Sequence, residues 1–201
     1  MIHNMTEEEW TTLTEEELEN LERPDYSAID SYDTQDLWSE VLPGLWQGGT
    51  NHTEDMAFSL SPYAKTTVTA KHFDTVVTLY ANALPVDWFV KELRFAVYDG
   101  NMQDFAPEEL FELVKTAHSD WKSGKRVLIR CQAGWNRSGL VMALVLMREG
   151  YSAGDAVKLI REKRSSYALC NRTFEKFLYG EDPRVWRGHT YGYTPRKKTK
   201  K

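Results

Sequence analysis

Val127-Leu128-Ile129-Arg130-Cys131-Gln132-Ala133-Gly134-Trp135-Asn136-Arg137-Ser138-Gly139, running on through Leu140 to Met147, places an apolar strand, a polar loop and an almost wholly apolar segment end to end. Three consecutive branched aliphatics read as a buried strand, and an element that is apolar on nearly all sides belongs in a core. The pattern predicts a helix over Ser138–Met147, so the loop sits where a buried strand hands over to a buried helix. The first turn of a helix carries N–H groups with no intrahelical acceptor and a partial positive charge, which together attract an anion. Gly134 lets the chain curl tightly there. Arg137 offers a planar fork that matches two phosphate oxygens.

A cysteine beside a helix N-terminus and an arginine favours its thiolate, the form that attacks phosphorus. Cys131 is therefore the candidate nucleophile and Arg137 the candidate clamp. The backbone of Gln132, Ala133, Gly134, Trp135 and Asn136 forms the candidate phosphate loop, and Ser138 is placed to donate to the sulfur as it departs. Cys170 has no such surroundings and reads as an ordinary packed cysteine.

Working outward, Val41–Gly49 reads as two strands around the Pro43-Gly44 turn. Phe73–Tyr80 is a β-branched run of the kind found in buried strands. Leu93, Phe95 and Val97 alternate with Arg94, Ala96 and Tyr98, which predicts a strand ending at Asp99. Pro107-Glu108-Glu109 opens a helix whose apolar positions run from Leu110 to Trp121, with Gly124 as its stop. Ser152 caps a helix to about Arg164, and Asn171 caps a last one through Leu178. Strands alternating with helices indicate an α/β sandwich.

Composition sets the limits. With 41% hydrophobic and 27% charged residues, 201 residues make one globular domain with room for tails. No stretch approaches the roughly 18 apolar residues of a membrane span. The N-terminus turns acidic at once, so a cytoplasmic location and no membrane partner are expected. Two cysteines make no disulfide framework, and five scattered histidines have no ligand spacing, so neither a metal nor another cofactor is expected. Residues 1–40 hold 13 acidic side chains against Arg23 alone, whereas 184–201 hold seven basic and no acidic ones. These read as solvated arms, which divides the chain into an acidic arm (1–36), a folded domain (37–183) and a basic tail (184–201). Thr6-x-x-Glu9 and Thr14-x-x-Glu17 have capping-box spacing for short helices in the first arm.

Cys131-x-x-Gly134-x-x-Arg137-Ser138 resembles the CX5R signature of the protein-tyrosine phosphatase superfamily, and residues of roughly 40–180 resemble its compact dual-specificity branch. Leu42-Pro43-Gly44-Leu45-Trp46-Gln47-Gly48 is similar to that branch's opening "PGLYLG" segment, and Asn171-x-x-Phe174 to its N-x-x-F motif. The resemblance implies a protein-tyrosine-phosphatase-like three-layer sandwich with a central mixed sheet of about five strands flanked by helices. It also implies hydrolysis of phosphate monoesters on protein through a cysteinyl-phosphate.

Two departures stand out. Arg130 occupies the position where the family usually has histidine; it either faces the loop and adds positive potential or lies on the surface. Trp135 and Asn136 stand where small residues are usual. Trp135 either walls the pocket or packs on its rim, and Gly134-x-Asn136-Arg137 is similar to the RNA 5′-triphosphatase group. RNA 5′-triphosphate cleavage and a non-catalytic phospho-binding module are therefore the alternatives to a protein phosphatase, with phosphorylated protein as the expected partner and RNA as the second.

Cleaving an alkyl or aryl phosphate needs a proton on the departing oxygen. Asp99 ends a predicted strand 32 residues before Cys131, an interval that resembles the family's, and is the candidate acid. Asp104 is the fallback.

Overall fold

The computed structural model describes residues 36–50 and 68–181. Five strands, β1 (Trp38–Leu42), β2 (Leu45–Gly48), β3 (Thr75–Thr78), β4 (Lys91–Arg94) and β5 (Val127–Arg130), form one sheet in the order β1-β2-β5-β3-β4. β1 is antiparallel to β2, and the other pairs are parallel, so the sheet is mixed. Four helices accompany it: α1 (Pro107–Lys122), α2 (Arg137–Glu149), α3 (Ala153–Lys163) and α4 (Arg172–Gly180).

The apolar central strand reads as it does because both its faces are covered. Val127 and Ile129 point into the large cluster built with all four helices, whereas Leu128 joins Leu37, Trp38, Val68, Phe73, Val76 and Val90 on the other face. α2 runs through the middle of the helical layer, and every residue from Arg137 to Met147 is buried. Its neighbours start as their sequences predict. α1 has proline at its first turn with Glu108 and Glu109, Ser152 Oγ accepts from Asp155 N–H at the head of α3, and Asn171 Oδ1 accepts from Thr173 and Phe174 N–H at the head of α4. No helix among the described residues is long and apolar enough to cross a membrane. The capping boxes at Thr6 and Thr14 and the basic tail lie outside the described residues.

Register decides where chemistry can happen. Gly48, Arg130, Thr78 and Arg94 lie in one row across the parallel strands, so the chain leaves all four at the same edge. Loops leaving the carboxyl ends of parallel strands are the usual site of ligand binding in such sheets. The strand expected to end at Asp99 instead ends at Arg94. Its partner β3 stops at Thr78; Phe95 N–H still reaches Thr78 O at 2.9 Å and Val97 N–H reaches Leu79 O at 3.4 Å, after which the edge has no ladder to follow.

Arg130 takes neither of the places expected of it. Its guanidinium is buried on the sheet, where Nε donates to Thr78 Oγ1 (2.9 Å) and Nη2 donates to Leu84 O (2.7 Å) and Glu92 Oε1 (3.2 Å). Burial lowers its pKa and the Glu92 carboxylate works against that. The side chain thus ties β5 to β3 and β4 and leaves the loop's electrostatics to other groups.

At the opposite edge of the sheet, Asp120 of α1 accepts from Thr75 Oγ1 (2.9 Å), Lys91 Nζ (2.8 Å) and Lys125 Nζ (2.7 Å). Burial pushes its carboxyl up, but the hydrogen bonds from Lys125, Lys91 and Thr75 outweigh that and hold its pKa at about 2. A depressed carboxyl stabilises the fold at pH values above its unfolded pKa, and that contribution disappears as pH falls through the folded value. Asp120→Asn should therefore cost about 1–2 kcal/mol in urea unfolding at pH 7. The gap between variant and wild type should narrow from pH 4 downward and nearly close by pH 2.

Candidate active site

β5 delivers Cys131 to the row where the parallel strands end, and α2 begins six residues later at Arg137. Cys131 N–H donates to Gly48 O (3.2 Å), which pins the start of the loop to the end of β2. From there the carbonyls turn outward, each toward a named donor. Gln132 O accepts from Thr50 N–H (3.1 Å), Ala133 O from Arg164 Nη2 (3.3 Å), and Gly134 O from both Gln47 Nε2 (3.0 Å) and Arg164 Nε (3.3 Å). A peptide plane that faces its carbonyl outward faces the following N–H inward. Among the described residues, the N–H groups of Gln132, Ala133, Gly134 and Asn136 have no backbone acceptor. The head of α2 also lacks a side-chain cap, because Asn136 does not bond its own helix. The result is a ring of unclaimed donors at a helix N-terminus, an anion site.

Gly134 is required here. Its φ is +79°, and a Cβ would meet the Gly48 carbonyl carbon and lie 2.6 Å from Gly49 N. Loop and strand backbones touch, which leaves no room for a side chain.

Cys131 lies at the floor of the ring, 1% exposed. Its Sγ and Ser138 Oγ are 3.4 Å apart, with the thiol donating; on ionisation the hydroxyl becomes the donor. Arg137 is anchored through Nη1 to Val97 O (3.1 Å) and Leu79 O (3.5 Å), with its guanidinium 5.4 Å from the Tyr80 ring centroid. Its Nε is buried with no partner. Such an unsatisfied donor is costly unless a ligand takes it.

Asp99 is exposed beside the loop, with each carboxylate oxygen held by an amide. Asn136 Nδ2 donates to Oδ2 (3.1 Å) and Asn171 Nδ2 to Oδ1 (3.0 Å). Asn136 turns its own carbonyl to Asn171 N–H (3.0 Å) and Cys170 Sγ (3.2 Å). Asn136 thus joins the loop, Asp99 and the head of α4. Cys170 is partly buried and donates within this knot. Trp135 turns away from the opening; it is 7% exposed and stacks on Tyr167 at 5.9 Å between centroids. Asp104 closes a 3-10 turn, Met102–Asp104, and its side chain lies outside the described residues.

Residues 61–181 match the family described as dual specificity phosphatase, catalytic domain. The chain belongs to that family. A chain of Invertebrate iridescent virus 6 named as a tyrosine phosphatase, 123R, is 33% identical to this dual specificity phosphatase domain over 70 residues, which are 32% of the present chain and 49% of the viral one. The chain thus spans about half the length of that relative. The structure of human DUSP28 covers 70% of this chain and 94% of its own at 22% identity, with a TM-score of 0.54. That of DUSP15 covers 77% and 94% at 18% identity, with a TM-score of 0.56. At these identities the likeness is one of fold.

Three residues of the candidate site escaped the sequence reading: Gln47, Thr50 and Arg164. Gln47 did carry a signal, as a fully buried amide in a strand where the family's opening segment has leucine. Arg164 had none, since a basic residue ending a helix is ordinary. Among the described residues no group of three or more His, Cys, Asp or Glu could hold a metal ion.

Gly134→Ala should cost about 2–4 kcal/mol, the sum of left-handed strain and overpacking. It should also abolish binding of inorganic phosphate, read by urea unfolding and by isothermal calorimetry on the same preparation.

Proposed function

We propose that the chain is a cysteine-dependent protein phosphatase that hydrolyses phosphotyrosine, and also phosphoserine and phosphothreonine, through a cysteinyl-phosphate. The observation that carries this reading is the loop itself. The carbonyls of residues 132–134 are claimed from outside, and among the described residues the amides of Gln132, Ala133, Gly134 and Asn136 have no backbone acceptor and Arg137 Nε has no partner, which leaves them to receive oxyanions around one buried sulfur. Family membership supports it.

In the first step the Cys131 thiolate attacks phosphorus in line; the S–P bond forms as the P–O bond to the leaving group breaks. The amides and Arg137 hold the equatorial oxygens, where charge is spread in the transition state. Asp99, protonated, gives its proton to the departing oxygen. In the second step water attacks phosphorus, Asp99 takes its proton, and the S–P bond breaks to return the thiolate. Ser138, 3.4 Å from the sulfur, donates to it as charge returns.

Asn136 prompted the RNA 5′-triphosphatase reading, but its amide is accounted for by Asp99 and the head of α4, so nothing among the described residues favours RNA over protein. A binding module would have no use for the nucleophile or the acid.

Purified full-length protein should hydrolyse p-nitrophenyl phosphate and a phosphotyrosine peptide without added metal, and Cys131→Ser should abolish both. Turnover that survives in that variant overturns the assignment. Asp99→Asn should slow phosphoserine hydrolysis by about 10²-fold or more. Asn136→Ala should slow it roughly tenfold while sparing p-nitrophenyl phosphate, whose leaving group needs little protonation.

A further inference from the structure

Buried guanidinium groups need counter-charges, because an ion removed from water is costly unless paired. Buried Arg130 has Glu92 at 3.2 Å, and half-buried Arg161 has Glu175 at 3.0 Å. Two others differ. Arg137 and Arg164 are 7% and 2% exposed, and their acceptors among the described residues are uncharged oxygens. For Arg164 these are Asp36 O (2.9 Å), Ser39 Oγ (3.1 Å), Ala133 O and Gly134 O (3.3 Å each). The two cations flank the same loop, Arg137 at its head and Arg164 behind it. Burial brings the Arg164 pKa down to about 10, against which the Cys131 sulfur and Asp36 act, so the group keeps its charge at neutral pH.

The geometry points to Arg164 as a positioning residue of the phosphate cradle: a charge seated behind the loop that, with Gln47, holds the carbonyls of Ala133 and Gly134 outward and helps neutralise a bound phosphate dianion. This rests on reading the loop as a phosphate site. A buried charge on the far side of one layer of peptide is weakly screened. Gln47 supplies the same outward pull without charge, which makes the two contributions separable.

The test compares Arg164→Lys, which keeps the charge and loses the fork, with Arg164→Gln, which keeps a donor and loses the charge. The probe is inorganic phosphate, with its dissociation constant read by calorimetry at low salt and the fold of each variant checked by thermal unfolding. Arg164→Gln should weaken phosphate at least about tenfold, the effect of one charge-assisted contact, while Arg164→Lys stays within about threefold. Unchanged affinity in Arg164→Gln overturns the inference, as does equal weakening in both variants. Where Arg164→Gln does not fold, wild-type chain labelled with 15N-arginine decides the matter. The Arg164 Nε–H resonance should move on phosphate titration while that of Arg161 stays still, and a stationary Arg164 signal overturns the role. Phosphate binding needs no turnover. A chain that binds phosphate but hydrolyses no monoester loses the proposed activity and keeps this residue's role. An active chain whose Arg164→Gln variant binds phosphate as wild type does the reverse.

Discussion

A loop that gathers amide hydrogens around an anion has to send its carbonyls somewhere, and a buried carbonyl without a donor is as costly as a lost hydrogen bond. Here the carbonyls of residues 132–134 are received by Thr50 N–H, Gln47 and Arg164. Those donors come from the end of β2 and the end of α3, which explains much of the architecture around them. The β1–β2 hairpin lies beside β5 so that Gln47 and Thr50 reach the loop. Gly134 lacks a side chain because its backbone touches that of Gly48 and Gly49, and Gly48 because Leu37 O and Trp38 occupy the place of its Cβ. α3 stops at Lys163, and the next residue turns its guanidinium under the loop while also tying down Asp36 and Ser39.

The same accounting separates structural charge from functional charge. Arg130 with Glu92, Arg126 with Asp74 and Asp120 with its two lysines are closed arrangements, complete without any ligand. Among the described residues Arg137 is not closed, since its Nε has no partner. Keeping buried donors unmatched lowers the stability of the empty protein, and proteins tolerate such features where binding or catalysis needs them. Pairing Arg137 with a carboxylate would relieve it and at the same time fill the place of the phosphate.

Much of this was legible in the residues. Val127–Ile129, the apolar helix after Ser138 and the caps at Ser152 and Asn171 are local signals, and local signals fixed those elements to within a few residues. The cysteine, glycine and arginine spacing located the loop. What could not be read was anything that depends on who faces whom across the sheet. Arg130 was left between loop and surface because period-2 reasoning cannot show that Thr78 and Glu92 wait in the neighbouring strands. The strand through Val97 was overextended because alternation continues after its partner has ended. Arg164 lies 30 residues beyond Gly134 and reaches it only through the packing of α3, so no window along the chain contains both.

Asn136 shows how far one substitution in a spacing motif can reach. A small residue at that position would serve the loop's curvature equally well, since the side chain makes no bond to its own helix. An asparagine adds a donor for Asp99 and an acceptor for the head of α4, and Asn171 completes the link by holding the other carboxylate oxygen and Gly100 O. The Asp99 carboxylate is thereby held in place by two neutral amides. That arrangement in turn depends on the turn before Asn171. Leu169 adopts φ 59°, donates its N–H to Trp135 O at 3.3 Å and lies against Gly139, where a Cβ would come within 2.9 Å of its side chain. Strain at a branched residue persists only where the surroundings impose it. Here it sets Cys170 and Asn171 against the loop, so the placement of Asp99 follows from the packing of a leucine on a glycine in the first turn of α2.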